Sequence, residues 1–169
     1  MPRRKKRLHK YIQQTQNLTF DVQSLEQRQL LAGNVVAAIN GAGDLSIVGD
    51  NNGNEINVEI NVSGDVTVTG LNGTTVDDSQ LVGSEVTGDV SIDLRDGDNV
   101  LDLTSTTNTF LEDVRIRTGS GADEITVEDI RASGGFVLSS GDGDDVVVVE
   151  NASSDENATF TLSLSLIHI

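Results

Sequence analysis

Three stretches set carboxylates and glycines at the mouth of an apolar run: DLRDGDNVLDL (93–103), RTGSGADEITV (117–127) and SSGDGDDVVVVE (139–150). VGDNNGNEINV (48–58) is a looser fourth. If these turns lie over one another, Asp96, Asp98, Asp123, Asp142, Asp144 and Asp145 gather at one edge. Carboxylates a few ångströms apart repel one another. A calcium ion would neutralise them through side-chain and backbone oxygens, so these six are the candidate metal ligands and Ca2+ the candidate cofactor. The competing reading needs no metal. Asp, Asn and Gly are the residues that tight turns require, and Asn54, Asn99, Asp123 and Asp145 could form a hydrogen-bonded ladder.

Other chemistry finds little to work with. The chain has no cysteine, which removes disulfides and thiolate zinc sites. Its two histidines, His9 and His168, lie near opposite ends and have no partner at metal-ligand spacing. GxSxG, HExxH and GxxxxGK[ST] are absent. Beyond residue 28 there is no tryptophan or tyrosine to hold a sugar, and the basic residues are Arg95, Arg115, Arg117 and Arg131. The expectation is a protein that is not an enzyme and has no catalytic residues. The alternative is a fragment of a carbohydrate-active β-helix enzyme.

The turns belong to a repeat. Segments opening at Asp44, Asp65, Asp89, Asp113, Gly135 and Asn157 each begin an alternating apolar strand, at spacings of 21, 24, 24, 22 and 22 residues. Counting from the opening residue, position 9 is Gly97, Gly121 and Gly143, and position 11 is Asn54, Asn99, Asp123 and Asp145. Positions 13 and 15 are apolar: Ile56 and Val58, Leu101 and Leu103, Ile125 and Val127, Val147 and Val149. The Asp65 unit departs from this with LNGTTVDDSQ, either an irregular coil or a hairpin at Asn72-Gly73. Each unit reads as strand, acidic turn, strand. One unit cannot bury its apolar face alone, so equivalent units must stack. The expected fold is all-β: a right-handed, parallel-β-helix-like solenoid with coils of about 22 residues, with a β-sandwich as the alternative.

Charge divides the chain. Residues 1–28 carry seven basic side chains against two acidic ones; the remainder carries four against 25, a body of net charge −21. Such a body repels nucleic acid and anionic membrane surfaces. No stretch approaches the roughly 20 apolar residues of a membrane span. Ser24 and Gln27 fit a capping box, and a short helix is expected over 24–31.

That segment, LEQRQLL (Leu25–Leu31), resembles the LEPR-XLL motif found near the N-terminus of large, repetitive, exported bacterial proteins; Leu25, Glu26, Arg28, Leu30 and Leu31 match, and Gln27 stands where proline is usual. The resemblance implies an extracellular or cell-surface bacterial protein. GSGAD and GDGDD resemble the GGxGxD turn of RTX calcium-binding repeats, which implies calcium held by Gly119, Gly121 and Asp123, and by Gly141, Gly143 and Asp145. RTX turns recur roughly every nine residues, and these recur about every 22. Three regions are expected: a basic tail and targeting segment (1–32), the repeats (33–163), and LSLIHI (164–169). The last is hydrophobic and uncapped, and reads either as a non-native adapter tail or as a genuine apolar strand. The expected role is a structural or adhesive repeat module, with further repeats of the same chain beyond a truncation and a cell-surface or matrix component as partner.

Overall fold

The computed structural model describes residues 33–81, 85–106, 110–162 and 167–168. The helix expected over 24–31, the LEPR-XLL-like segment and most of 164–169 lie outside them. In chain order the strands are β1 (Asn34–Ile39), β2 (Leu45–Val48), β3 (Glu55–Ile60), β4 (Val66–Gly70), β5 (Thr75–Gln80), β6 (Val90–Asp93), β7 (Val100–Ser105) and β8 (Phe110–Leu111). There follow β9 (Val114–Arg117), β10 (Glu124–Glu128), β11 (Arg131–Ala132), β12 (Phe136–Gly141), β13 (Val146–Glu150), β14 (Ser153–Ser154), β15 (Ala158–Leu162) and β16 (Ile167–His168). Among the described residues there is no helix.

The strands form three sheets: β15-β12-β9-β6-β2-β1-β5, β16-β13-β10-β7-β3-β4 and β14-β11-β8. Two of the three are mixed. β6, β9, β12 and β15 pair in parallel, as do β3, β7, β10, β13 and β16. By contrast, β1 pairs antiparallel with β2, and β3 antiparallel with β4, while β5 closes the edge in parallel with β1. This corrects the expected uniform, right-handed parallel solenoid. The protein is an all-β arrangement of mixed sheets.

The physical reason lies in two copies of one turn, Asn-x-x-Gly-Asp, at 40–44 and 61–65. Asn40 Oδ1 accepts the N–H groups of Ala42 (2.8 Å) and Asp44 (3.1 Å), and Asn61 Oδ1 those of Ser63 (2.8 Å) and Asp65 (3.0 Å). Gly43 (φ 87°) and Gly64 (φ 84°) take the left-handed conformation that a side chain resists. The chain therefore folds back on itself as a hairpin at both places. Asp44 and Asp65 are thus hairpin returns, and the Asp65 unit does not follow the Asp44 unit in the sheet: Leu45 faces Val90 directly. At Asn72-Gly73 both residues have positive φ (46° and 97°), and Thr74 N–H donates to Leu71 O (2.8 Å), but the flanking strands β4 and β5 enter different sheets.

Within the parallel ladders, alternation decides what is buried. Ile47, Ile92, Ile116 and Leu138 stack in register, each with no exposed surface. Opposite them run Ile56, Leu101, Ile125 and Val147, then Val58, Leu103 and Val127. All belong to one apolar cluster. Each large aliphatic side chain so buried contributes about 1.5–3 kcal/mol. The intervening residues face solvent, which gives the outer surfaces their polar character.

Candidate functional site

The parallel ladders bring the acidic turns together. Gly97 N–H donates to Ser120 O (2.8 Å) and Gly121 N–H to Asp142 O (2.9 Å), so Gly97, Gly121 and Gly143 stack. Their φ values are 106°, 148° and 143°. A Cβ on Gly121 would run into the Gly97 carbonyl oxygen, and one on Gly143 into that of Gly121. Glycine is needed here both for conformation and for close approach of two backbones.

The six expected ligands divide into two sets. Asp96, Asp98, Asp142 and Asp144 are exposed at the turn tips; Asp123 and Asp145 are buried beneath them. The lower exposed pair reaches to the next turn. Asp96 Oδ1 accepts the N–H (2.9 Å) and hydroxyl (3.0 Å) of Ser120, and Asp98 Oδ1 accepts Ala122 N–H (2.8 Å). The Ser120 N–H, with its hydroxyl, holds the Asp96 carboxyl below the usual carboxylate range.

Beneath them runs a ladder of the position-11 residues. Asn99 Oδ1 accepts the backbone N–H and the Nδ2 of Asn54, both at 3.0 Å. Asp123 Oδ1 accepts the same two groups of Asn99, both at 2.9 Å. Asp145 Oδ1 accepts Asp123 N–H at 3.2 Å, and Asp145 Oδ2 accepts the Ser140 hydroxyl at 2.5 Å. Each amide also serves its own turn: Asn99 Nδ2 donates to Arg95 O (3.1 Å) and Gly97 O (2.8 Å). Burial pushes the Asp123 carboxyl above its ordinary range, and the Asp145 carboxylate pushes the same way; the Asn99 donors and the Thr118 hydroxyl pull against them.

A second carboxylate column lies at the opening residues of the units. Asp44 Oδ1 accepts Asp89 N–H (3.0 Å), Asp89 Oδ1 accepts Asp113 N–H (3.0 Å), and Asp113 Oδ1 accepts Gly135 N–H (2.7 Å). Reading the sequence for ligands passes over this column, although the recurrence of Asp at position one was its signal. Asn40, through its side-chain amide, and then the Asp89 N–H hold the Asp44 carboxyl below its usual range.

Calcium takes about six to eight oxygens around one point. Here Asp96, Asp98, Asp142 and Asp144 are exposed while Asp123 and Asp145 are buried, and Asp96, Asp98, Asp123 and Asp145 already accept hydrogen bonds from a neighbouring turn. Among the described residues, no three His, Cys, Asp or Glu side chains converge where they could hold a metal. The residues do not fit a calcium cage of the RTX kind. They do fit a set of cross-turn hydrogen bonds in which carboxylates replace water as acceptors for backbone N–H groups.

Concave regions among the described residues lie elsewhere. A shallow groove of about 390 Å³ on the outer face of the β3-β7-β10 ladder collects Asn57, Glu59, Asp102 and Glu128 with three threonines, without an aromatic or basic side chain. A hollow of about 440 Å³ lies beside Phe136 and Phe160, whose rings are 5.6 Å apart, and Glu150 is its one ionisable side chain. No helix among the described residues is long and apolar enough to cross a membrane. No family model matches the chain, and no curated protein or solved structure matches it.

Proposed function

We propose that this chain is a non-enzymatic structural or adhesive module of an exported bacterial protein. One observation carries the reading. The charged side chains at its most distinctive sites, Asp44, Asp89, Asp113, Asp96 and Asp98, each accept a backbone N–H from the neighbouring repeat. They serve as fasteners between repeats, and among the described residues no three His, Cys, Asp or Glu side chains converge. The long aliphatic columns and the doubled hydrogen bonding along each turn suit a stiff element that holds other surfaces apart. The acidic exterior keeps such an element soluble and away from nucleic acid. Surface display follows the resemblance of Leu25–Leu31 to the export-associated motif.

The test is a panel of polysaccharides incubated with the purified chain, read as release of reducing ends or unsaturated products, alongside thermal unfolding in EDTA and in CaCl2. The expected result is no turnover and a melting temperature indifferent to calcium. Saccharide cleavage that is abolished by Asp102→Asn or Glu59→Gln would overturn the reading in favour of a carbohydrate-active enzyme.

A further inference from the structure

The buried ladder changes chemistry part way along. At Asn54 and Asn99, Nδ2 donates to the Oδ1 of the next member, at 3.0 and 2.9 Å. At Asp123 the atom in that place is Oδ2, which is buried and has no hydrogen-bond partner. The next member, Asp145, offers only acceptors: its Oδ1 takes Asp123 N–H, and its Oδ2 takes the Ser140 hydroxyl. Thr118, whose hydroxyl pulls the Asp123 carboxyl downward, has one proton and donates it to Ser140 O at 2.7 Å, so it cannot satisfy both groups at once. An ionised Asp123 would therefore bury an oxygen without a donor, against a second carboxylate.

We propose that Asp123 and Asp145 hold one proton between them: Asp123 is a neutral carboxylic acid whose Oδ2–H donates to Asp145 Oδ1. The proton is taken from solvent on folding. It turns Asp123 into an isostere of asparagine, so the ladder continues with an O–H where the two preceding members use an N–H.

The surroundings do not supply a competing charge. In the preceding turn, Arg95, Asp96 and Asp98 are exposed; in the following one, Asp142 and Asp144 are exposed; beside Asp123 itself, Glu124 is exposed. Arg95 acts electrostatically on Asp50, and Asp145 is the neighbouring charge that acts on Asp123. The upward displacement of the Asp123 carboxyl by burial agrees with this arrangement. The sign follows from that direction. The stabilisation is complete below the unfolded Asp value of about 3.9 and is lost as pH rises through the higher folded value.

The test compares melting temperatures of the full chain and its Asp123→Asn variant from pH 4 to pH 8. Asparagine supplies the N–H permanently. The variant should melt higher at pH 8, by roughly 5 °C for a domain of this size, and the difference should close as pH falls towards 4. A difference that does not vary with pH, or a variant destabilised at pH 8, would overturn the shared proton. So would a calcium-induced rise in the melting temperature of the parent chain that the variant lacks, because a cation would then fill the position. An independent readout covers a variant that fails to fold: the infrared C=O stretch of a protonated carboxyl in the parent chain at neutral pH. Its presence supports the proposal, and its absence refutes it.

Discussion

Replacing Asn99 with alanine tests the ladder at its centre. The side chain is fully buried and makes five contacts: its Oδ1 accepts Asn54 N–H and Nδ2, and its Nδ2 donates to Arg95 O, Gly97 O and Asp123 Oδ1. Not all of these are lost outright. Asn54 Nδ2 keeps Asp50 O, Asn52 O and Leu94 O, Arg95 O keeps the Gly119 N–H, and Asp123 Oδ1 keeps the Asn99 backbone N–H. The groups left exposed to the penalty are Asn54 N–H and Gly97 O. A buried polar group without a partner costs about 1–3 kcal/mol, so two such groups plus the weakened contacts give about 3–5 kcal/mol. For a domain of this size that is a fall in melting temperature of roughly 10–15 °C. The assay is thermal unfolding followed by circular dichroism, with urea unfolding to obtain the free energy. A fall of less than about 3 °C would show that water replaces the amide without loss, and the claim that the ladder fastens the repeats would fail.

Three further outcomes follow from the same geometry. Gly143→Ala places a Cβ against the Gly121 carbonyl oxygen at a φ of 143°, and should destabilise by at least ~2 kcal/mol in urea unfolding; Gly41→Ala, with nothing within 4 Å, should change little. Ile116→Ala empties a fully buried position in the middle of an aliphatic column and should cost about 2–5 kcal/mol, measured the same way. Asp96 has its carboxyl held below the usual range by Ser120, so its contribution is present above the unfolded Asp value and is lost as pH falls through the lower folded value. Melting temperatures between pH 5 and pH 2 should therefore fall less steeply for Asp96→Asn than for the parent chain.

Much of the candidate site can be read without coordinates. Gly97, Gly121 and Gly143, like Asn54, Asn99, Asp123 and Asp145, recur at fixed places in the repeat, and recurrence alone says that each set shares an environment. Alternation of apolar residues likewise names the buried faces of β3, β7, β10 and β13, because successive side chains on a strand point to opposite sides. Strand direction is another matter. The Asp44 and Asp65 segments open with the same pattern as the Asp89 segment, yet the Asn40 and Asn61 turns reverse the chain ahead of them and make two of the sheets mixed. Periodicity carries no information on direction, since a strand has the same alternation whichever way its neighbour runs.

What the sequence settles by itself is the inventory: an all-β body of acidic turns and aliphatic strands, with asparagine, aspartate and glycine at repeating positions. Only the tertiary structure decides what the carboxylates do. A row of aspartates is equally consistent with bound calcium and with acceptors for backbone N–H groups, because both demand oxygen lone pairs at a turn. The distances from Asp96, Asp98 and Asp113 to N–H groups in the next repeat are those of hydrogen-bond acceptors, and the buried, unpartnered Asp123 Oδ2 is the observation on which the proposed shared proton rests.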